Sequence, residues 1–556
     1  MKRILIITGF LISLFCSVSA QEKVRNLIVM IPDGTSSNIL SLARWYKFGA
    51  CPANNCRLAI DLHICGMVST YNSDSPIGDS APTGSTYATG HLSNTGFVAT
   101  YPVSTGKEKD LIEVDPLRAY HPLFTILEAA RIQGKSTGLV VTCEFTHATP
   151  AGFSAHTPFR DDEEAIAIQM VHNNLSVVFG GGLQYLDPAR RKDGLDLFNV
   201  LRLRNYRLVT ARDEFETLTP VDTLVYCLFS EDYLPNDLDR DPEKVPSLAE
   251  MTRKAIKILS ENPKGFFLMV EGSKIDWAAH QNDPVGTITE YLAFDDAVKE
   301  AMDYANRDGY TAVVIVPDHG TSGISLGNSR SSSNHDVLPI HDLLQPLYNC
   351  KKTVEWITGA IQSTPPETRN IFFDNTGIRL TEEEIEQVNM ARNSANQYLL
   401  SMTVAKLINQ HAYVGFTTHG HTGEDVMLAV YHPGNYRPSG VINNIELHHY
   451  MTEILDTPDL NALTEARFCI DTIALKGVDW EIVSSDNARP KLVIRPEKGA
   501  KIHAEVDAST DYVTIFKKDK PLKIISLRSL AIFVEPLQHF FIPKNLGKLL
   551  KDEFLH

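Results

Sequence analysis

A hydroxyl-rich segment at residues 78–90, GDSAPTGSTYATG, could present one oxygen as a nucleophile. Ser80 follows the carboxylate Asp79 at a glycine-bounded turn, and the residues after it read as a helix whose amino end would help to hold negative charge. A serine hydroxyl has too high a pKa to attack at neutral pH unless a base or a metal ion activates it. A flexible surface loop is the alternative reading, so the activating group has to be sought elsewhere in the chain.

Carboxylates and imidazoles from separate segments could activate that hydroxyl by holding metal ions. They are Asp33, Glu271, Asp276, His280, Asp318, His319 and His421. Taken singly, each of these residues is as typical of a helix cap, a turn or a solvated helix face as it is of a metal site. Gathered at one sheet edge, four carboxylates and three imidazoles would repel one another without cations. Mixed imidazole and carboxylate ligands suit zinc, whereas carboxylate and hydroxyl ligands suit magnesium.

Four apolar runs predict the strands that would bring these residues together. They are NLIVMI at 26–31, GLVVT at 138–142, FFLMVE at 266–271 and AVVIVPDHG at 312–320. The runs are apolar on both faces, as buried parallel strands are, and polar residues follow each one at the end where open α/β sheets bind ligands. Their alternation with helical patterns predicts a three-layer α/β/α sandwich around a large, mostly parallel central sheet.

Two further regions interrupt or follow this pattern. Residues 322–415 carry helical patterns, among them a Thr381 and Glu384 capping box, and are predicted to form an inserted cap or lid. From about Asp471 the pattern changes to short strands separated by turn signals. We therefore expect a catalytic domain at 21–470 and a small β-rich accessory domain at 471–556.

The amino-terminal residues have the pattern of a secretory signal peptide at 1–20. Lys2 and Arg3 precede a short apolar run, and small residues stand at the expected cleavage site. The run is shorter than the roughly 20 residues of a membrane span, and bulky residues before Cys16 disfavour a lipoprotein anchor. No later stretch is long and apolar enough to cross a bilayer, so we expect a periplasmic or secreted protein without a transmembrane anchor.

The charge balance constrains the partners. The chain carries a formal charge of −16, which becomes −18 when Lys2 and Arg3 leave with the signal. Such an excess of acid argues against nucleic acid or an anionic membrane as partner, and the sequence contains no nucleic acid binding domain that we can identify. An anionic substrate would need a local positive centre, which three divalent cations and one arginine would create among four carboxylates.

Seven cysteines remain after the predicted signal, so at least one has no partner within the chain. Cys51 and Cys56 are near enough in sequence to be bridged, although spacing alone does not show it. Cys65, Cys143 and Cys227 are at least as typical of buried free thiols.

Seven motifs occur in a fixed order between Val24 and Tyr431. They are MIPDG, GDSAPTGSTYATG, HATPAGFSAHTPFR, GGG at 180–182, MVEGSKIDWAAH, VPDHG and HGHTGEDV. In these motifs the chain resembles the secreted metal-dependent alkaline phosphatase family of the bacterial type. The resemblance implies a phosphomonoester hydrolase with two zinc ions and one magnesium ion, acting on small-molecule phosphate monoesters, and by family analogy a homodimer.

The resemblance also implies a role for each motif residue. Ser80 would be the zinc-activated nucleophile that forms a phosphoserine intermediate, and Arg160 would grip two phosphate oxygens. The metal ligands would be Asp276, His280 and His421 for the first zinc, Asp318, His319 and Ser80 for the second, Asp33 between the second zinc and magnesium, and Thr149 and Glu271 for magnesium.

Three positions depart from the best-studied bacterial pattern. His147 and Trp277 stand near the implied magnesium and phosphate, where that pattern has an aspartate and a lysine, and Thr321 replaces a histidine. Histidine and tryptophan occur at the first two positions in other branches of the family. The departures bear on the pH optimum and the affinity for magnesium, while the ligand set itself is whole.

Two other functions remain open on the sequence. A phosphodiesterase or sulfatase of the same superfamily is one, although the sulfatase signature needs an arginine where this chain has Gly84. Arg160, Thr149 and Glu271 together favour a dianionic monoester over a diester. A non-catalytic phosphate or metal binder is the other, and the intact Ser80 argues against it.

Overall fold

The structure is a computed structural model that describes residues 24–51, 56–106, 108–485 and 488–555. The predicted signal at 1–20 lies outside these residues. Within the described part of the chain, the helices are all too short or too polar to cross a membrane.

Strands and helices alternate through the first part of the chain, as the sequence predicts. In order they are β1 (Asn26–Pro32), α1 (Ser37–Phe48), β2 (Ile64–Ser69), α2 (Ser80–Thr89), α3 (Ile126–Ile132), β3 (Ser136–Glu144), α4 (Ala148–Ser154), α5 (Glu163–His172), β4 (Val177–Gly181), α6 (Leu197–Leu203), β5 (Arg207–Val209), α7 (Arg212–Glu216), β6 (Val225–Leu228), α8 (Leu248–Leu259), β7 (Phe266–Gly272), α9 (Lys274–His280), α10 (Pro284–Asp308), β8 (Thr311–Ile315) and β9 (Gly320–Thr321). The four apolar runs form β1, β3, β7 and β8.

The middle of the chain is mainly helical. Its elements are β10 (Ser325–Leu326), α11 (Ile340–Tyr348), α12 (Val354–Ser363), α13 (Thr368–Thr376), α14 (Glu382–Arg392), α15 (Leu399–His411), β11 (Val414–Gly415), β12 (His421–Thr422), β13 (Val426–Tyr431), β14 (Gly440–Asn443), α16 (Asn444–Leu455) and α17 (Leu460–Arg467). The predicted capping box is present at the start of α14, where Thr381 Oγ1 accepts from the Glu384 amide and Glu384 accepts from the Thr381 amide.

The last part of the chain is a separate small β-rich region. It contains β15 (Cys469–Ile470), α18 (Asp471–Ala474), β16 (Asp479–Ser485), β17 (Ala488–Arg495), β18 (Ile502–Asp507), β19 (Tyr512–Lys517), β20 (Lys520–Ser526), β21 (Ile532–Val534), β22 (His539–Ile542) and α19 (Leu546–Phe554). Strands β16 to β20 form an antiparallel five-stranded sheet in sequence order, and β15, β22 and β21 form a three-stranded one. Leu492, Ile494 and Ala504 belong to a core of its own.

A ten-stranded sheet in the order β14-β2-β13-β8-β1-β7-β3-β4-β6-β5 forms the centre of the molecule. The run from β8 to β5 is parallel, and β13 joins it antiparallel. Alternate residues of β1 face different cores: Ile28 and Met30 pack with α1, α8 and α10, whereas Val29 packs with α3, α4 and α16. The mixed α/β fold with a large, mostly parallel sheet between helices is therefore confirmed.

Parallel pairing brings the carboxyl ends of β8, β1, β7 and β3 to one edge of the sheet. Ile31, next to the end of β1, pairs with Glu271 of β7, and Met30 pairs with Ile315 at the end of β8. The polar residues that follow these strands are consequently neighbours in space, although tens to hundreds of residues separate them in sequence.

One ionic cluster joins the β-rich region to the helices of the central fold. Asp511, just before β19, accepts hydrogen bonds from both terminal nitrogens of Arg204 at 3.0 Å, from Asn174 Nδ2 at 3.0 Å and from His172 Nδ1 at 3.0 Å. Burial alone would raise the pKa of Asp511, but the hydrogen bonds from His172 and Arg204 hold it well below its usual range. The carboxylate is thus charged and fully paired.

Removing this carboxylate should destabilise the protein. We expect Asp511→Ala to lower the free energy of unfolding by about 3 kcal/mol, because Arg204 would be left partly buried without its counter-ion. Since the pKa of Asp511 is depressed on folding, its contribution should be lost as the pH falls below the usual aspartate range. Urea titration of the full chain at pH 7 measures the change. Asp552→Ala, at an exposed position in α19, is the control, and equal stability of the two variants would contradict the expectation.

Candidate active site

Ser80 is the first residue of α2 and is buried beside a histidine ring. Its Oγ lies 3.2 Å from His319 Nε2, and only 3% of the residue is exposed. Asp79 has an extended backbone and precedes the helix, so the amides of the first turn of α2 lie next to the hydroxyl. Gly78 allows this approach, since a Cβ there would lie 3.1 Å from His319 Cβ. The predicted glycine-bounded turn is therefore present, and it is buried rather than a surface loop.

Two carboxylates after neighbouring strands face the same histidine. His319 Nε2 is 3.6 Å from Asp33 Oδ1 and 3.4 Å from Asp318 Oδ2. Asp318 Oδ1 accepts from the amides of Gly34 and His319, both at 3.0 Å, which fixes its orientation. Burial, followed by the charges of Asp318, Asp276 and Glu271, raises the pKa of Asp33 well above its usual value. A bound cation would stabilise the charged form of a carboxylate in these surroundings.

A second group forms where α9 meets β12. Asp276 Oδ2 is 3.2 Å from His280 Nε2, which lies 3.1 Å from His421 Nε2. The helix places Asp276 and His280 on one face, as their spacing predicts, and the pairing of β12 with β9 brings in His421. His421 Nδ1 contacts the Gly78 carbonyl at 2.9 Å, and His280 Nδ1 contacts the His419 carbonyl. Both rings therefore turn Nε2 toward the site.

The pKa values of Asp276, His280 and His421 reflect their burial and their close contacts with one another and with His319. Burial would raise the pKa of Asp276, but the hydrogen bond and charge of His280 keep it below the usual range. Burial would lower the pKa of His280, yet its bond to Asp276 raises it to about 9. Burial and the nearby His319 lower the pKa of His421. A bound cation would contact the same Asp276 oxygen and His280 nitrogen.

The third group surrounds Glu271 at the end of β7. Burial and the charge of Asp318 raise the pKa of Glu271 to about 7. Thr149, in α4, is fully buried, and its Oγ1 has no hydrogen-bond partner. Cys143 Sγ donates to Glu271 Oε2 at 3.5 Å. A ring nitrogen of His147 also lies within 4.8 Å of the Cys143 sulfur and a Glu271 oxygen.

Arg160 is held beside the nucleophile by a residue whose role the sequence did not reveal. Its Nη1 donates to Asp79 Oδ1 at 2.9 Å, and its Nη2 lies 3.4 Å from His147 Nε2. Burial and the Arg160 charge lower the pKa of His147 to about 3, so this ring is neutral. Trp277 packs edge-on against His147 with ring centroids 5.6 Å apart. The position of Asp79 next to Ser80 was the only signal of its role in the sequence.

Thr321 is a further site residue that sequence reasoning noted only as a departure from the family pattern. Its Oγ1 donates to Asp276 Oδ1 at 2.5 Å and lies 3.4 Å from His319 Nδ1. It therefore connects the two groups of side chains that we expect to hold different ions. Nothing in its sequence context predicted that contact, because it requires β9 to pack against α9, 45 positions earlier in the chain.

The residues present fit divalent cations. Several buried oxygens at the site have no hydrogen-bond partner: Asp33 Oδ1 and Oδ2, Asp318 Oδ2, Glu271 Oε1 and Thr149 Oγ1. Buried polar atoms are rarely left in this state unless they bind a ligand. Within the described residues, three sets of donors are close enough to share an ion: Asp276 with His319 and His421, Asp33 with Asp318 and His319, and Cys143 with His147 and Glu271. The site can therefore hold cations and bind an anion against Ser80 and Arg160.

Comparison with known proteins gives a consistent answer. The sequence model of the alkaline phosphatase family matches residues 24–457. Alkaline phosphatase 4 of Bacillus subtilis (strain 168) is 35% identical over 452 residues, which cover 79% of this chain and 91% of that protein. The repressible alkaline phosphatase of Saccharomyces cerevisiae is 30% identical and covers 80% of this chain and 82% of its own length.

Solved structures agree in fold. The cold-active alkaline phosphatase of a psychrophilic Shewanella species matches with a TM-score of 0.67 and 28% identity over 78% of this chain and 100% of that one. The Thermus thermophilus alkaline phosphatase matches with a TM-score of 0.68 and 26% identity over 79% of this chain and 92% of that one.

Gly34 offers a test of how closely the site is packed. A Cβ at this position would collide with Asp276 Oδ1 and Thr321 Oγ1, and its φ of +63° already disfavours a side chain. We expect Gly34→Ala to displace Asp276, lower the retention of divalent metal after dialysis and reduce hydrolysis of p-nitrophenyl phosphate by about 100-fold.

The matched control is Gly194→Ala. Gly194 has the same φ of +63° but nothing within 4 Å of its Cβ position. It therefore reports backbone strain alone. If both variants lost bound metal and activity equally, close packing around Asp276 would not be the cause.

Proposed function

The chain belongs to the alkaline phosphatase family, and we propose that it hydrolyses phosphate monoesters by attack of Ser80, through a phosphoserine intermediate, with two zinc ions and one magnesium ion bound. The observation that carries this proposal is the Ser80 hydroxyl, buried at the start of α2 with its Oγ 3.2 Å from His319 Nε2. That same nitrogen lies within 3.6 Å of carboxylate oxygens of Asp33 and Asp318.

We assign the ligands as the family resemblance implies. Asp276, His280 and His421 would hold the first zinc, Asp318, His319 and Ser80 the second, and Thr149 and Glu271 the magnesium, with Asp33 between the second zinc and magnesium. When bound, the cations lower the pKa of the hydroxyl and stabilise charge on the entering and leaving oxygens. Support comes from the unpaired buried oxygens of Asp33, Asp318, Glu271 and Thr149.

The protein's own residues would orient the substrate. Arg160 Nη1 donates to Asp79 Oδ1 at 2.9 Å, and this hydrogen bond holds the planar guanidinium group near the start of α2. The phosphate would lie there, beside Ser80. His147 is neutral and adds no charge next to Arg160. Helix α2 contributes the positive end of its dipole to the same place. Substrate is therefore oriented before the Ser80 oxygen forms its bond to phosphorus and the ester oxygen departs.

We also propose the location and organisation of the protein. Residues 1–20 would direct export to the periplasm or the exterior, and the disulfide between Cys51 and Cys56 fits an oxidising compartment. Residues 21–470 would form the catalytic domain, 322–415 its cap and 471–556 an accessory domain. Association into a homodimer is proposed only by analogy with the family.

The nucleophile can be tested by trapping. Acid quench during turnover of a monoester, followed by peptide mass spectrometry, should find one phosphate on the peptide that contains Ser80. Ser80→Ala should lose that adduct and nearly all turnover, at least about 1000-fold, while still binding zinc through the other ligands. Ser75→Ala, five residues upstream, is the control. Normal turnover by Ser80→Ala would reject Ser80 as the nucleophile. If the native protein bound phosphate but showed no turnover, it would instead be a non-catalytic binder.

The substrate class can be tested by comparing p-nitrophenyl phosphate with its bis ester. We expect a higher kcat/KM for the monoester, because Arg160 and the cations would balance two negative charges rather than one. Arg160→Ala should narrow this preference by lowering kcat/KM mainly for the monoester. A native enzyme that prefers the diester would instead be a phosphodiesterase of the same superfamily.

A further inference from the structure

A buried thiol borders the third group of donors. Cys143, the next-to-last residue of β3, is fully buried, and its sulfur lies 3.5 Å from Glu271 Oε2. Its amide lies 3.3 Å from Ser273 Oγ, which anchors the backbone at this position. The sequence alone suggested only a buried free thiol here. The parallel pairing of β3 with β7 brings it to Glu271.

The surroundings of the thiol have the composition of a metal site. One ring nitrogen of His147, the Cys143 sulfur and a Glu271 oxygen all lie within 4.8 Å of one another. Three further atoms here are buried without a hydrogen-bond partner: Glu271 Oε1, Thr149 Oγ1 and His147 Nδ1. Two of them belong to side chains that are completely buried, those of Glu271 and Thr149. The thiol therefore faces polar groups that lack partners, as well as the carboxylate to which it donates.

The kinds of atom at this site decide which ion it should prefer. Magnesium binds oxygen ligands and gives up its waters reluctantly, whereas zinc favours thiolate and imidazole. Carboxylate and hydroxyl groups alone, those of Asp33, Thr149 and Glu271, would make a magnesium site. A sulfur and an imidazole at the same place change that preference.

We propose that Cys143 is a metal ligand of the third cation site, so that zinc, when it is present, replaces the magnesium that the family resemblance implies there and binds through Cys143, Glu271 and His147. The proposal rests on the proposed function for the existence of a third cation at Glu271. On binding, the Cys143 S–H bond breaks, its proton leaves to solvent and the sulfur forms a bond to the metal, whose positive charge balances the new thiolate. No change of oxidation state is involved.

Cobalt(II) is the probe, because it replaces zinc and a thiolate bound to it absorbs in the near ultraviolet. The full-length mature protein is stripped of metal, saturated with cobalt and its spectrum recorded. We expect a thiolate-to-cobalt absorption band that Cys143→Ser lacks. The control is Cys227→Ser, which removes another buried thiol two strands away in β6 and should keep the band.

Metal analysis gives a second, independent measurement. After dialysis against zinc with excess magnesium, the native protein should retain three zinc ions per chain, and Cys143→Ser two zinc ions and one magnesium. The zinc affinity of the third site should fall by about 10-fold or more in the variant. Two retained zinc ions in Cys143→Ser also show that the variant is folded.

Two results would overturn the proposal: a native protein without the band, or a band that persists in Cys143→Ser. Neither depends on turnover. A phosphate trapped on Ser80 together with a missing cobalt band would leave the proposed function standing and reject Cys143 as a ligand. A cobalt band without any trapped phosphate would support Cys143 as a metal ligand and reject the proposed function.

Discussion

The structure depends on one electrostatic constraint: four carboxylates share a buried space at the edge of a parallel sheet. Asp33, Glu271 and Asp318 are completely buried and Asp276 nearly so. Within one such space each charge raises the free energy of the others, and the folded chain supplies too few donors to offset this. Bound cations would resolve the conflict and, in doing so, would create the positive centre that an acidic protein needs to attract phosphate. The stability of the fold, the binding of metal and the charge of the substrate therefore all depend on how these four carboxylates are neutralised.

The sheet and most of the site could be predicted from the sequence because their signals are local. Apolar runs on both faces mark β1, β3, β7 and β8, and polar residues follow each run directly. The spacing of Asp276 and His280 needs only a single helical turn, which α9 supplies. The capping box of Thr381 needs only four residues. In such places the neighbours in sequence are also the neighbours in space.

The remainder could not be predicted because it depends on register between distant segments. Thr321 reaches Asp276 only because β9 packs against α9. Cys143 meets Glu271 only through the alignment of β3 with β7, and Asp511 meets Arg204 only when the β-rich region has docked. No pattern within a window of sequence encodes these contacts. The hydrogen bond from Arg160 to Asp79, which spans 81 positions of the chain, likewise depends on how distant segments pack together.

The short pairing of Gly320–Thr321 with His421–Thr422 joins the two ends of the mainly helical segment between them, like a clasp. His319 directly precedes one strand of this clasp and His421 begins the other, with ring centroids 3.7 Å apart although the two residues are 102 positions apart in the chain. The segment between the two strands of the clasp could change in length without moving His319 and His421, since closing a longer loop costs little extra free energy. This segment is thus a place where evolution, or a protein engineer, could graft new recognition elements beside the proposed active site without altering it.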